Sequence, residues 1–171
     1  MASEFQRRKV DLVFGAMDTT GDGYLTEEDF ELLAARWAAL RGGDEALLTR
    51  VMLSWWETLQ SVAGGADRVT LDDVLAVVDV LPGSIEMVHG TADAMFGAVD
   101  ADGDDYVSEA EFRMMINAWT GGESPADFGK LDLDGDGRLS RAEFSALWAE
   151  FWAGDDPAAA GSHVFGPVQA A

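Results

Sequence analysis

The chain has 171 residues, 48% of them hydrophobic, enough to bury a sizeable core and to argue against a disordered chain. Its 32 acids against 11 lysines and arginines leave a formal charge of −21, so nucleic acid and anionic membranes are poor partners and cations are the natural counterpart. There is no cysteine, which excludes disulfides, thiolate metal sites and cysteine nucleophiles.

The start, Met1 to Val10, is too polar for a secretory signal, and no stretch approaches the ~20 apolar residues that cross a bilayer. A cytoplasmic protein is the expectation. Apolar periodicity and capping signals predict helices over residues 3–17, 27–41, 44–61, 71–80, 84–98, 109–119, 124–131 and 141–153.

Between the first two helices lies a twelve-residue run, Asp18 to Asp29, with oxygen-bearing side chains at alternate positions: Asp18, Thr20 and Asp22. Acids at positions 1, 3 and 5, a backbone carbonyl at 7, a side chain or water at 9 and an acid at 12 wrap a calcium ion. Thr20 in place of an acid at position 3, and the short Asp29 at position 12, make this the weakest cage. It is expected to hold metal less tightly than the fourth loop and to accept magnesium.

The long interval before residue 100 contains a silent copy of the same unit. With Val69 at position 8, Thr70 and Asp73 fall at positions 9 and 12, while positions 1, 3 and 5 become Val62, Gly64 and Ala66. The fold-forming residues survive without the ligands, as expected of a structural partner for the first loop. Leu81-Pro82-Gly83-Ser84 then breaks the chain into two halves.

The third loop runs from Asp100 to Glu111 and places acids at Asp100, Asp102, Asp104 and Glu111. Asp105 stands where a glycine is expected, so it must adopt positive φ at a cost of about 1 kcal/mol. The fourth loop, Asp132 to Glu143, is complete, with Asp132, Asp134, Asp136 and Glu143 as acids and Gly137 at the turn. It is the predicted tightest or joint tightest site.

The flanks repeat as well. Phe14, Phe96 and Phe128 precede their loops by four residues, and Phe30, Phe112 and Phe144 follow immediately. Each such pair is expected to pack together where the helices of one unit cross. The apolar residue at position 8 (Leu25, Val107, Leu139) suits a short ladder between paired loops, and Thr26, Thr70, Ser108 and Ser140 read as helix caps with an acid three residues on.

The seven methionines and six tryptophans are expected mainly in the core, with the tryptophans scattered over the helices rather than grouped. His89 and His163 have no nucleophile or second ligand near them in sequence and read as solvated or capping. Past Gly154 the tail lacks helical periodicity and is either disordered or docked through Val164 and Phe165.

These loops and flanks resemble the EF-hand family, and most closely the bacterial calerythrin-like branch of the sarcoplasmic calcium-binding proteins. The silent second unit, the wide spacing of the first two units and the wording Asp18-Thr-Thr-Gly-Asp-Gly23 carry the likeness over residues 3–153. It implies an all-α protein in which two pairs of helix-loop-helix units, with the second unit degenerate, pack into one compact body. The expected division is residues 1–80 for the first pair, 84–153 for the second and 154–171 for the tail.

The ligand set the resemblance implies is Asp18, Thr20, Asp22, Tyr24, Thr26 and Asp29; Asp100, Asp102, Asp104, Tyr106, Ser108 and Glu111; and Asp132, Asp134, Asp136, Arg138, Ser140 and Glu143. Tyr24, Tyr106 and Arg138 would serve through their main-chain carbonyls, their side chains being uninformative. The expectation is a monomeric buffer or carrier with calcium in three loops. The alternative is a calcium-dependent regulator that exposes an apolar surface to a protein partner. An enzyme is not expected, because the four units use up almost the whole chain.

Overall fold

The computed structural model describes residues 2–42, 45–120 and 128–165. In chain order the helices are α1 (Glu4–Met17), α2 (Glu27–Arg41), α3 (Glu45–Val62), α4 (Leu71–Val80), α5 (Ile85–Val99), α6 (Glu109–Thr120), α7 (Phe128–Leu131) and α8 (Arg141–Ala153). Of the helix predicted over 124–131, residues 128–131 are helical and the rest lie outside the described residues. The break between the halves is a 3-10 turn, Leu81–Gly83, with Pro82 inside it.

Local chemistry starts these helices where the sequence placed them. Ser3 caps α1 through its hydroxyl, which accepts the Gln6 N–H, while the Gln6 side chain accepts the Ser3 N–H. Thr70 and Asp73 make the same reciprocal exchange at α4. Such caps satisfy donors that the first turn leaves unpaired.

Loops meet in pairs. Leu25 bridges Val69 with both backbone hydrogen bonds, at 2.8 and 2.9 Å. β1 (Tyr106–Ser108) runs antiparallel to β2 (Arg138–Ser140), with Val107 opposite Leu139. All four position-8 side chains are fully buried, so each ladder is nailed to the core from one face.

The phenylalanines pack, but across units rather than within them. Phe96 meets Phe144 at 5.6 Å and Phe112 meets Phe128 at 5.7 Å, while Phe30 meets Trp56 at 5.9 Å. Antiparallel loop pairing is the reason: it brings the helix entering one loop beside the helix leaving its partner.

The tryptophans are grouped, contrary to expectation. Trp55 from α3 contacts Trp148 and Trp152 from α8, and Phe165 from the tail contacts Trp119, Trp148 and Phe151. Residues 93 positions apart thus share one aromatic cluster spanning both halves. Met17, Met52, Met95 and Met115 are buried with it, whereas Met87 is exposed.

The tail is docked up to Phe165. A 3-10 turn, Ala160–His163, lies on α8, and both Val164 and Phe165 are buried. Gly161 is required by this contact, since a Cβ there would sit 2.3 Å from the Leu147 carbonyl oxygen. Its N–H donates to Glu150 Oε2 at 2.7 Å. Two basic side chains also tie the halves: Arg36 of α2 donates to the Ala118 carbonyl of α6, and Lys9 of α1 donates to carbonyls of Glu150, Phe151 and Gly154.

Candidate metal centres

Each loop is drawn around its first acid. In loop four, Asp132 accepts the N–H groups of Gly135 and Gly137 at 3.1 and 2.8 Å. In loop three, Asp100 accepts those of Gly103, Asp104 and Asp105 at 2.9 to 3.2 Å. In loop one, Asp18 accepts those of Gly21, Asp22 and Gly23 at 2.8 to 3.2 Å. The position-6 residue must have positive φ to aim its amide inward. Gly23 (85°) and Gly137 (83°) do this freely, and Asp105 (68°) does it against the preference of an L side chain.

The acids converge in the second pair. Asp100, Asp102, Asp104 and Glu111 each offer an oxygen within 4.8 Å of the others, and so do Asp132, Asp134 and Asp136. Glu143 closes loop four from α8: its Oε1 accepts the Ser140 hydroxyl at 3.1 Å, while Oε2 is buried without a hydrogen-bond donor. Burial pushes the Glu143 carboxyl up, the Ser140 hydroxyl offsets this, and nearby Asp134 and Asp136 push it further. An orphaned buried carboxylate oxygen beside three converging acids fits a divalent cation, which would supply the missing charge.

Loop three shows the same tension. The Asp104 amide lowers the Asp102 carboxyl, but desolvation and the carboxylates of Glu111 and Asp104, with a bond to Asp100, hold it above the usual range. Glu111 is engaged at its rim, accepting the Ala101 and Ser108 N–H groups at 2.6 and 2.9 Å. Ser108 and Ser140 each cap the following helix by accepting its third N–H at 3.2 Å. Those hydroxyls at position 9 are therefore shared with the backbone.

Loop one is organised differently. Among the described residues its acids do not gather as those of loops three and four do. Asp29 is fully buried. Its Oδ1 accepts from the Thr19 hydroxyl, the Thr20 N–H and the Thr20 hydroxyl at 3.0 to 3.1 Å. Its Oδ2 accepts from the Thr26 N–H and hydroxyl at 2.8 and 3.1 Å. The short acid is thus saturated by the loop itself, and Thr20 and Thr26 are occupied in doing so.

The side chains at position 7, on which the ligand pattern is silent, make contacts of their own. The Arg138 guanidinium lies 3.6 Å from the centre of the Tyr106 ring, and Arg68 lies 5.4 Å from that of Tyr24. His89 also has a role outside its own helix, its Nδ1 lying 2.6 Å from Ser145 Oγ. His163 Nε2 lies 3.0 Å from the Pro157 carbonyl oxygen, within the tail.

The EF-hand family model matches residues 10–34 and 126–148, covering the first and fourth loops with parts of their flanking helices. These two matches, together with the paired helix-loop-helix units, support a four-unit EF-hand architecture and calcium binding through it. The architecture is that of the sarcoplasmic calcium-binding proteins: the amphioxus protein matches at 20% identity with a TM-score of 0.72, over 97% of this chain and 98% of that one. A Streptomyces coelicolor calcium-binding protein, solved as a basis for prokaryotic calcium-mediated regulation, matches at 25% identity and TM-score 0.69, over 90% of this chain and all of that one.

The calcium-loaded apo form of the coelenterazine-binding protein from Renilla muelleri matches at 24% identity and TM-score 0.72, over 98% of this chain and all of that one. No curated protein matches the sequence. Among the described residues, no helix is long and apolar enough to cross a membrane.

Proposed function

We propose that the chain is a calcium buffer or carrier acting in the cytoplasm as a monomer, with calcium held in loops one, three and four. The observation that carries this reading is the second pair, where converging acids and the orphaned Glu143 oxygen call for a divalent cation in each loop. The eighteen residues at positions 1, 3, 5, 7, 9 and 12, from Asp18 to Glu143, would hold the ions. Loop one, with Asp29 engaged by its own threonines, would bind more weakly and share its site with magnesium.

Buffering rather than signalling is favoured by where the apolar surface lies. The two pairs share one aromatic cluster, and the tail covers part of it, so little remains to be opened. No catalysis is proposed. Calorimetric titration of metal-free protein with calcium, repeated in millimolar magnesium, tests the reading. Three calcium sites are expected, one of them weakened by magnesium; fewer than two would refute it.

A calcium-dependent regulator is the second reading. It is favoured by a solvent-open apolar cavity of about 30 Å³ lined by Trp55, Leu59, Val78, Met87, Val88 and Trp152. Exposed Val80, Ile85 and Met87 lie on the neighbouring helices. A large calcium-induced rise in binding of a hydrophobic dye would favour this reading, and a flat response favours the buffer.

A further inference from the structure

Position 7 of an EF-hand loop serves its ion through a backbone carbonyl, so its side chain is free to do something else. In the second pair Val107 and Leu139 face the core, and the alternation of a strand turns Tyr106 and Arg138 to the opposite face. There the Arg138 guanidinium stacks on the Tyr106 ring at 3.6 Å. Its Nε lies 3.5 Å from Asp136 Oδ2. One side chain thus touches an acid of loop four and the position-7 residue of loop three.

The first pair repeats half of this arrangement. Arg68 occupies position 7 of the silent loop and lies over Tyr24, at position 7 of loop one. With Val62, Gly64 and Ala66 at positions 1, 3 and 5, loop two has no cage for its own carbonyl to complete. The arginine nevertheless remains against its neighbour's tyrosine.

We propose that Arg138 is a positioning residue that couples calcium binding in loops three and four, acting on loop three through Tyr106. The inference rests on the reading that both loops hold calcium. Asp136 draws on the guanidinium. With Asp136 serving an ion in loop four, Arg138 would be left to the Tyr106 ring, which would steady the segment whose carbonyl loop three needs. The coupling is reciprocal, so filling loop three favours loop four equally.

Two amides make this measurable in the intact chain. Asp105 N–H donates to Asp100 at 3.0 Å and Gly137 N–H donates to Asp132 at 2.8 Å, so each resonance reports the occupancy of its own loop. In a calcium titration followed by nitrogen–proton correlation spectra, both resonances of the wild type should move with one common midpoint.

Tyr106→Leu leaves every charge in place and should part the two midpoints by about three- to fivefold, the scale of one cation–π contact at a partly exposed site. Arg138→Gln should part them similarly, the double variant should part them no further, and Tyr106→Phe should behave as wild type. A common midpoint in Tyr106→Leu, or additive separation in the double variant, overturns the coupling. Wild-type resonances moving at separate midpoints overturn it too and leave the metal reading intact. If neither resonance responds to calcium, the metal reading itself falls and the inference with it.

Discussion

Replacing Lys9 with methionine probes a cation that the fold has taken out of water. Lys9 is fully buried, and its ammonium donates to the Glu150, Phe151 and Gly154 carbonyls at 3.2, 2.7 and 2.6 Å. The rings of Phe5 and Phe151 flank it. Desolvation lowers its pKa from 10.5 to about 8, although Asp155 and Glu150 pull the other way. In Lys9→Met the carbonyls at the end of α8 lose their donor, which should destabilise the protein by about 2 kcal/mol at pH 7.

The pH dependence carries a definite sign. Below about pH 8 the lysine is charged in both states, and the folded state bears the desolvation penalty in full. From about pH 8 to 10.5 the folded state releases the proton while the unfolded state keeps it, so wild-type stability rises relative to the variant. The interval, converted at about 1.4 kcal/mol per pH unit, amounts to about 3.5 kcal/mol, of which about 2.8 is reached by pH 10. Urea unfolding in saturating calcium, followed by tryptophan fluorescence at each pH unit from 7 to 10 for both proteins, measures it. Parallel curves for the two proteins, or a wild type that loses ground above pH 8, would refute the reasoning.

Further outcomes follow from other contacts. Phe165→Ala should destabilise by about 3 kcal/mol and shift tryptophan emission to the red as Trp119 and Trp148 lose their cover. Gly161→Ala should do the same to a lesser degree, by about 2 kcal/mol in urea unfolding, because its Cβ meets the Leu147 carbonyl. Asp105→Val puts a β-branched side chain at positive φ, costing about 2 kcal/mol; calorimetry should show loop three weakened, loop four weakened less through the coupling, and loop one unchanged. Removing calcium from a site filled at a thousand times its Kd should lower stability by about 4 kcal/mol, and identical melts with calcium and with chelator would contradict this.

The loops were legible because their chemistry is local. A twelve-residue pattern of acids fixes its own turn, and Val69 revealed the silent loop because position 8 must be apolar to seat the ladder. Asp105 was readable as a residue forced into positive φ for the same reason. What escaped depends on elements far apart in the chain. A lysine on a helix ordinarily reads as solvated, and nothing near Lys9 in sequence discloses the three carbonyls some 140 residues away.

The aromatic cluster escaped likewise, since Trp55 and Trp148 meet only through the packing of α3 against the second half. The phenylalanine pairs were assigned within units because the repeat is a unit in sequence, whereas loop pairing makes neighbours of different units. The stacking of Arg138 on Tyr106 lies between those scales, readable only once the register of β1 on β2 is known.

The grip of Lys9 on the far end of α8 also bears on how the chain is made. Its acceptors are the carbonyls of residues 150, 151 and 154, so a nascent polypeptide carries the unseated ammonium while some 140 further residues are added. α1 therefore reaches its final seat only after α8 has been made, and it stays available to chaperones for that interval.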